Sequence, residues 1–297
     1  MSLRSNVVLA YVGCCLIWGS TWMMIKIGLR GAPPVTSIAV RMMVASLIVA
    51  VLLRIWRIPL PRDRHFVRLG IFLGTFNVTL PYVFVYYGEQ RIDSGLASVL
   101  YATFPLLVAV LARFWLNNRL TARKLAGVAI GIVGVAVIFS NNLRLGHHAG
   151  TGTALVMASV TAAAIGSVGT KKWGHGYHPI ASLLIPFVTA ALSAAVLAVI
   201  VEWPLQLRYD ATTWGTILYL AAAGSVGAFS LFFYVMQRLD VTVVSYQTFI
   251  IPIVAVILGA TFLGESISAR VAMGAALILA GIALATFAPH PRTLVSR

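Results

Sequence analysis

An all-α integral membrane protein, with ten transmembrane helices arranged as two inverted five-helix repeats, is the fold this sequence predicts. Three observations carry it. Charged residues make up 10% and hydrophobic residues 60% of the chain, with a mean hydropathy of +0.94. A soluble domain carries about 25% charged residues, so this chain cannot cover a water-facing surface. Apolar runs long enough to cross roughly 30 Å of hydrocarbon recur from end to end. The second half also restates the first at a fixed offset of 147 residues.

Ten runs qualify as spans: 6–27, 34–54, 66–88, 94–114, 121–140, 151–171, 179–201, 212–235, 241–263 and 269–288. The first shows no small-residue cleavage site, so it reads as a spanning helix and not a removed signal. Its Cys14 and Cys15 are adjacent, and helix neighbours do not face each other, so no disulfide is expected. The second carries Arg41. The third holds Asn77, Pro81, Tyr82 and Tyr86 and ends in "YYGEQRID". The fourth holds Ser98, Tyr101 and Pro105. The fifth contains Gly127 and Gly131, four apart, as Gly70 and Gly74 are in the third; this spacing permits close helix contact. A homodimer along the fifth and tenth helices is one use of it, and packing within the chain the other. The sixth carries Gly166-Ser167, the seventh Pro186, and the eighth Phe229 and Phe233 before "FYVMQRLD". The ninth begins near Ser245, Tyr246, Gln247 and Thr248 and holds Pro252. Gly274 and Gly281 lie in the tenth.

Lysine and arginine set the orientation. With the N-terminus inside, 15 of the 22 fall on inside segments and 6 outside, leaving Arg41 within a span. This expects a multi-pass protein of the cell (inner or plasma) membrane with both termini cytoplasmic. The net charge of +15 sits at the ends of apolar runs, which excludes a nucleic-acid partner and leaves the lipid bilayer as the expected surroundings.

The repeat pairs Tyr87, Gln90, Arg91 and Asp93 with Tyr234, Gln237, Arg238 and Asp240. It continues through Ser98/Ser245, Pro105/Pro252, Arg123/Arg270, Gly127/Gly274 and Gly134/Gly281. The copies are expected at 1–145 and 146–297. Each has five spans, an odd number, so the second copy enters the membrane from the opposite side. Inverted repeats of this kind place a substrate site near the midplane between halves and suit alternating access.

"LIWGSTWMMIKIGL", "PPVTSIAVRMMVASLIVAVLL" and "DSGLASVLYATFPLLVAVLARFWLNNRLTARKLAGVAIGIVGVAVI" resemble the first, second, and fourth to fifth helices of the drug/metabolite transporter superfamily, of the ten-helix EamA exporter type. Asn118 stands where that family often has Glu, whereas the second copy keeps Glu265. Within the superfamily the chain most resembles the YddG-type amino-acid exporters. The resemblance implies a small-molecule substrate, an amino acid by this likeness, and no cofactor. Purines, sugar derivatives and cationic drugs are carried on the same scaffold.

No span holds Asp or Glu at its middle, where a proton relay or cation ligand would sit. A facilitator or exchanger is therefore expected. Glu89 and Glu265, near span ends, leave a proton-coupled antiporter as the alternative. Arg41 has two readings: holding a substrate carboxylate, or a structural and gating role. The resemblance favours the latter, since an arginine stands there across varied substrates. Lys26 is expected to snorkel to the outer interface. Trp18 and Trp22 share a helix face, either in a cavity or in the interfacial belt. The hydroxyls of Tyr82, Tyr86 and Tyr101 need partners that lipid lacks, which favours a polar cavity. Asn77 and Gln247 serve as interhelical glue or as substrate contacts. The candidate binding set is thus Trp18, Trp22, Asn77, Tyr82, Tyr86, Ser98, Tyr101, Ser245, Tyr246, Gln247 and Thr248. Arg41, Pro105, Pro252 and Glu265 are expected to be structural or gating. All six histidines lie in loops or tails, so no metal is expected. An intramembrane enzyme would need a catalytic set inside a span, and none is present. A non-transporting scaffold fits the repeat poorly.

Overall fold

In the computed structural model, residues 3–117, 121–144, 147–174, 176–204, 210–236, 238–239, 244 and 246–286 are described. They form ten helical passes and no strand. The passes are α1 (Leu3–Gly28), α2 (Pro34–Ile55), α3 (Arg64–Glu89), α4 (Ser94–Trp115), α5 (Ala122–Arg144), α6 (His147–Trp173), α7 (Ala181–Val201), α8 (Ala211–Met236), α9 (Gln247–Leu263) and α10 (Ala269–Thr286). Eight are long and apolar enough to cross a membrane by length and composition, and α9 is a shorter apolar helix. The sequence expected the ninth to begin at 241; 241–243 and 245 lie outside the described residues. So do 145 and 146, where the two copies were expected to join.

Local sequence sets the helix starts. Pro34 takes the first position of α2, where its missing N–H costs nothing. Asp63 accepts the Phe66 N–H at the start of α3, and Asp210 that of Thr213 at the start of α8. Large apolar side chains such as Leu47 and Val51 on α2, Leu192 and Val196 on α7, and Ile253 and Ile257 on α9 point outward, as lipid-facing surfaces require.

The helices pair by repeat. The α5 helix packs on α10, α2 on α7 and α4 on α9, while α3 against α6 is mirrored by α8 against α1. Repeat-equivalent helices run antiparallel. A Cβ on Gly127 would lie 2.4 Å from the Gly281 carbonyl oxygen, and one on Gly134 2.7 Å from that of Gly274. Backbone therefore meets backbone along the α5–α10 seam, the close approach that small residues permit in lipid. Gly131 faces Leu106, and Gly70 and Gly74 face α7. The glycine pairs are thus used within the chain.

Two breaks in regular helix were not foreseen. A π-helical stretch covers Gly74–Thr79 in α3, and another covers Leu220–Gly227 in α8. They overlap at the repeat offset. In each, a hydroxyl donates to the carbonyl five residues back: Thr79 to Gly74 at 2.9 Å and Ser225 to Leu220 at 3.0 Å. Such π-turns leave backbone groups over and often sit at functional positions. The paired prolines behave differently from each other. Pro105 follows a turn at Ala102–Thr103 that divides α4, whereas Pro252 lies inside an unbroken α9. The two matched prolines thus sit in different local geometry.

Candidate functional site

Levels along α1 order the interior. The Trp22 ring meets Tyr101 edge-on at 5.3 Å, and Tyr101 stacks on Phe104 at 6.3 Å. One turn earlier, Trp18 meets Phe229 at 5.6 Å and Phe232 at 5.3 Å. Trp22 is buried and Trp18 half-buried, so neither belongs to an exposed interfacial belt. Between them Thr21 packs on Gly224 of the second π-turn, and a Cβ there would also meet an Arg41 guanidinium nitrogen at 3.7 Å.

Arg41 is 3% exposed, and its four hydrogen bonds go to uncharged hydroxyls. Nε and Nη2 each donate to Ser225 Oγ at 3.2 Å, Nη1 to the Tyr86 hydroxyl at 3.1 Å, and Nη2 to the Tyr82 hydroxyl at 3.3 Å. The guanidinium also lies 4.5 Å from the Tyr82 ring centroid, a favourable cation–π placement. A buried guanidinium needs such partners. The second π-turn aims Ser225 at it, which is why sequence spacing alone did not reveal Ser225.

The two halves repeat this geometry with different chemistry. Tyr82 and Tyr86 stack at 6.4 Å, and their equivalents Phe229 and Phe233 also lie 6.4 Å apart. Phe187 reaches Phe229 at 6.3 Å, whereas Tyr82 is met by Arg41. One cluster is therefore hydroxylated and cationic, and the other aromatic and apolar.

Of the expected residues, Trp22 thus meets Tyr101, and Arg41 meets Tyr82 and Tyr86, while Trp18 packs on Phe229 and Phe232. Ser98 is buried in α4 with no hydrogen-bond partner for its hydroxyl. Asn77 instead packs on the backbone of Gly166 in α6, in the manner of interhelical glue. Gln247 is buried beside Cys14 and Cys15 at the start of α9. Tyr246 is 41% exposed and Thr248 half-buried. Ser245 lies outside the described residues. Both cysteines are free.

One end of the molecule is tied by carboxylates. Glu202, just past α7, accepts the Val35 and Thr36 N–H groups and the Thr36 hydroxyl, each at 2.8 Å, and the Tyr87 hydroxyl at 3.3 Å. Glu265, just past α9, accepts the Ser94 N–H and hydroxyl at 2.8 Å and the Gly95 N–H at 3.0 Å. Each acid caps the first turn of the repeat-equivalent helix, where unpaired N–H groups and the helix dipole favour an anion. At the offset of 147 their counterparts are Ile55 and Asn118. Ile55 offers no carboxylate, and Asn118 lies outside the described residues. The Lys26 ammonium, expected to snorkel outward, instead donates to the Glu89 and Ile92 carbonyls at the end of α3.

The echoed corner also resolves. Arg91 donates to the Tyr87 carbonyl at 2.6 Å and Arg238 to the Tyr234 carbonyl at 3.1 Å. The shared arginine closes the helix end in both copies. The Asp93 side chain makes no capping bond at the start of α4, and Glu265 caps there instead. Gln237 and Asp240 lie outside the described residues.

Known proteins share this organisation. The model of the EamA-like transporter family matches twice, over residues 5–140 and 150–287. A Bacillus subtilis protein described as the uncharacterized transporter YoaV is 26% identical, covering 95% of this chain and 97% of its own. A probable amino-acid metabolite efflux pump of Escherichia coli is 25% identical over 97% of this chain and 96% of its own. A solved crystal structure superimposes with a TM-score of 0.67 at 18% identity, over 95% of this chain and 97% of that one, which is a likeness of fold.

Proposed function

Because the chain belongs to the EamA-like transporter family, both copies of whose domain it carries, we propose that it exports neutral or aromatic amino acids, or closely related small metabolites, by alternating access. The supporting observation is an unequal pair of side-chain clusters. The Arg41–Tyr82–Tyr86–Ser225 cluster suits polar headgroup chemistry. The Trp18–Phe229–Phe232 cluster, with Phe187 and Phe233, suits an apolar side chain. Trp22 and Tyr101, on α1 and α4, form a further aromatic pair one turn along α1 from Trp18. Two relatives described as probable amino-acid metabolite efflux pumps point to the same substrate class. The pseudo-symmetric helix pairing supplies the two alternative arrangements, with the carboxylate-tied end closed here. Positive-inside counting puts that end on the outside.

The test is counterflow of a labelled aromatic amino acid in liposomes containing only this protein, with unlabelled amino acids, purines and amines as competitors. Amino acids should compete and purines should not. Trp22→Ala and Tyr101→Ala should each lower exchange by about tenfold, comparable to losing one good contact, with folding intact. Exchange blocked by purines alone would assign a different substrate class, and full exchange in both variants would remove these rings from the path.

A further inference from the structure

Glu89 ends α3 with its side chain completely buried and neither carboxylate oxygen hydrogen-bonded. An ionised carboxylate stripped of both water and partners is among the most unfavourable groups a protein interior can hold. Three of its charged or titratable neighbours are engaged elsewhere. Lys26 of α1 gives its ammonium to the carbonyls of Glu89 and Ile92. Glu265 is used on the first turn of α4. Tyr86, one turn back on α3, is held by Arg41 of α2. Asp93 lies in the following turn, its carboxyl pushed up by burial first and by Glu265 second, against the pull of Lys26. From α6 the neighbours of this helix end are Gly152 and Val156, which bring no charge.

We propose that Glu89 is a proton-binding site built into the gate at this end. While Glu202 and Glu265 hold α2 and α4, the Glu89 carboxyl carries a proton. When that end opens, water enters, the proton leaves to the solvent on that side, and Lys26 releases the helix-end carbonyls to pair with the new carboxylate. Closing reverses each step and takes one proton from the same side. The expectation of a facilitator rested on the missing mid-span acid. Glu89 supplies an acid that sequence position placed at a span end but that the fold seals from water.

The sealed form then holds one more proton than the open form. Within the titration range, the ratio of sealed to open protein should rise up to about tenfold for each unit fall in pH. The probe is a cysteine at Ser98, buried one turn inside Ser94. Cys14 and Cys15 are replaced by serine, and a water-soluble maleimide is applied to the full chain in detergent micelles over a pH series. The same series on the protein that also carries Glu89→Gln cancels the thiol's own ionisation. Labelling should rise more steeply with pH when Glu89 is present, by up to about tenfold per unit, and Glu89→Gln should remove that excess. Equal slopes in the two proteins overturn the proposal. Should Glu89→Gln fail to fold, infrared spectroscopy of the unaltered protein at neutral pH decides: a protonated-carboxyl band is expected, and its absence overturns the proposal. Labelling needs no substrate, so its failure leaves the amino-acid reading standing, and failed amino-acid exchange leaves this test intact.

Discussion

Arg41 shows what a single residue can and cannot announce. Its position in an apolar run marked it at once, because a charge in a span must find partners. Its partners were only half legible. Tyr82 and Tyr86, four apart, are readable as one helix face. Ser225 lies 184 positions away on a π-turn, and no periodicity points there. The three hydroxyls give the buried guanidinium its partners within the protein. Arg41→Met should cost about 1–3 kcal/mol, the usual penalty for stranding buried hydrogen-bond partners, read as a lower melting temperature in detergent. Arg41→Lys should rescue little, since a single ammonium cannot reproduce the fork that reaches Ser225 and both tyrosines. If the lysine variant melts like the unaltered protein, the fork is not what holds this cluster.

At the scale of the helix, the spans were legible to within a few residues because length and apolarity define them. Departures from regular helix were not. A π-turn adds a residue without changing composition, and Gly74–Thr79 and Leu220–Gly227 look like ordinary span sequence. Pro105 and Pro252, matched in sequence, also give different local geometry, because tertiary packing decides whether a proline divides a helix. The start of α3 is a case where local chemistry does suffice. Asp63 accepts the Phe66 N–H at 2.8 Å and the Tyr177 hydroxyl at 3.0 Å. The Phe66 amide above all, and Tyr177 beside it, hold the Asp63 carboxyl below its ordinary range. A lowered value means that the cap is complete above the ordinary carboxylate pKa and is lost as pH falls through the lowered one. Protection of the Phe66 amide in lipid nanodiscs, relative to its intrinsic exchange, should therefore fall once the pH drops below the ordinary carboxylate range, and Asp63→Ala should be poorly protected throughout. An amide equally protected at pH 3 and pH 7 would argue that other contacts hold this turn.

For the whole molecule, the offset of 147 residues foretold the antiparallel partnership of equivalent helices. What it could not foretell was where the symmetry fails. Glu202 and Glu265 tie one end, whereas Ile55 and Asn118 stand at the corresponding places of the other. Single acids near span ends look alike in sequence, and only the fold shows that they reach across to another helix. Replacing Ser94 and Glu265 by cysteines should allow a disulfide that abolishes exchange, with recovery on reduction. Exchange that continues with the bridge formed would mean that α4 and α9 do not separate there.

The glycine seam between α5 and α10 has a mechanical meaning. Gly127 against Gly281 and Gly134 against Gly274 press main chain on main chain about the point where the two copies interchange. Under the proposed alternating access, a body rocking between mirrored states has one line that stays still, and this seam has the form of that fulcrum. Thiols bridged across it should leave turnover untouched, even though the two halves would then be permanently riveted together.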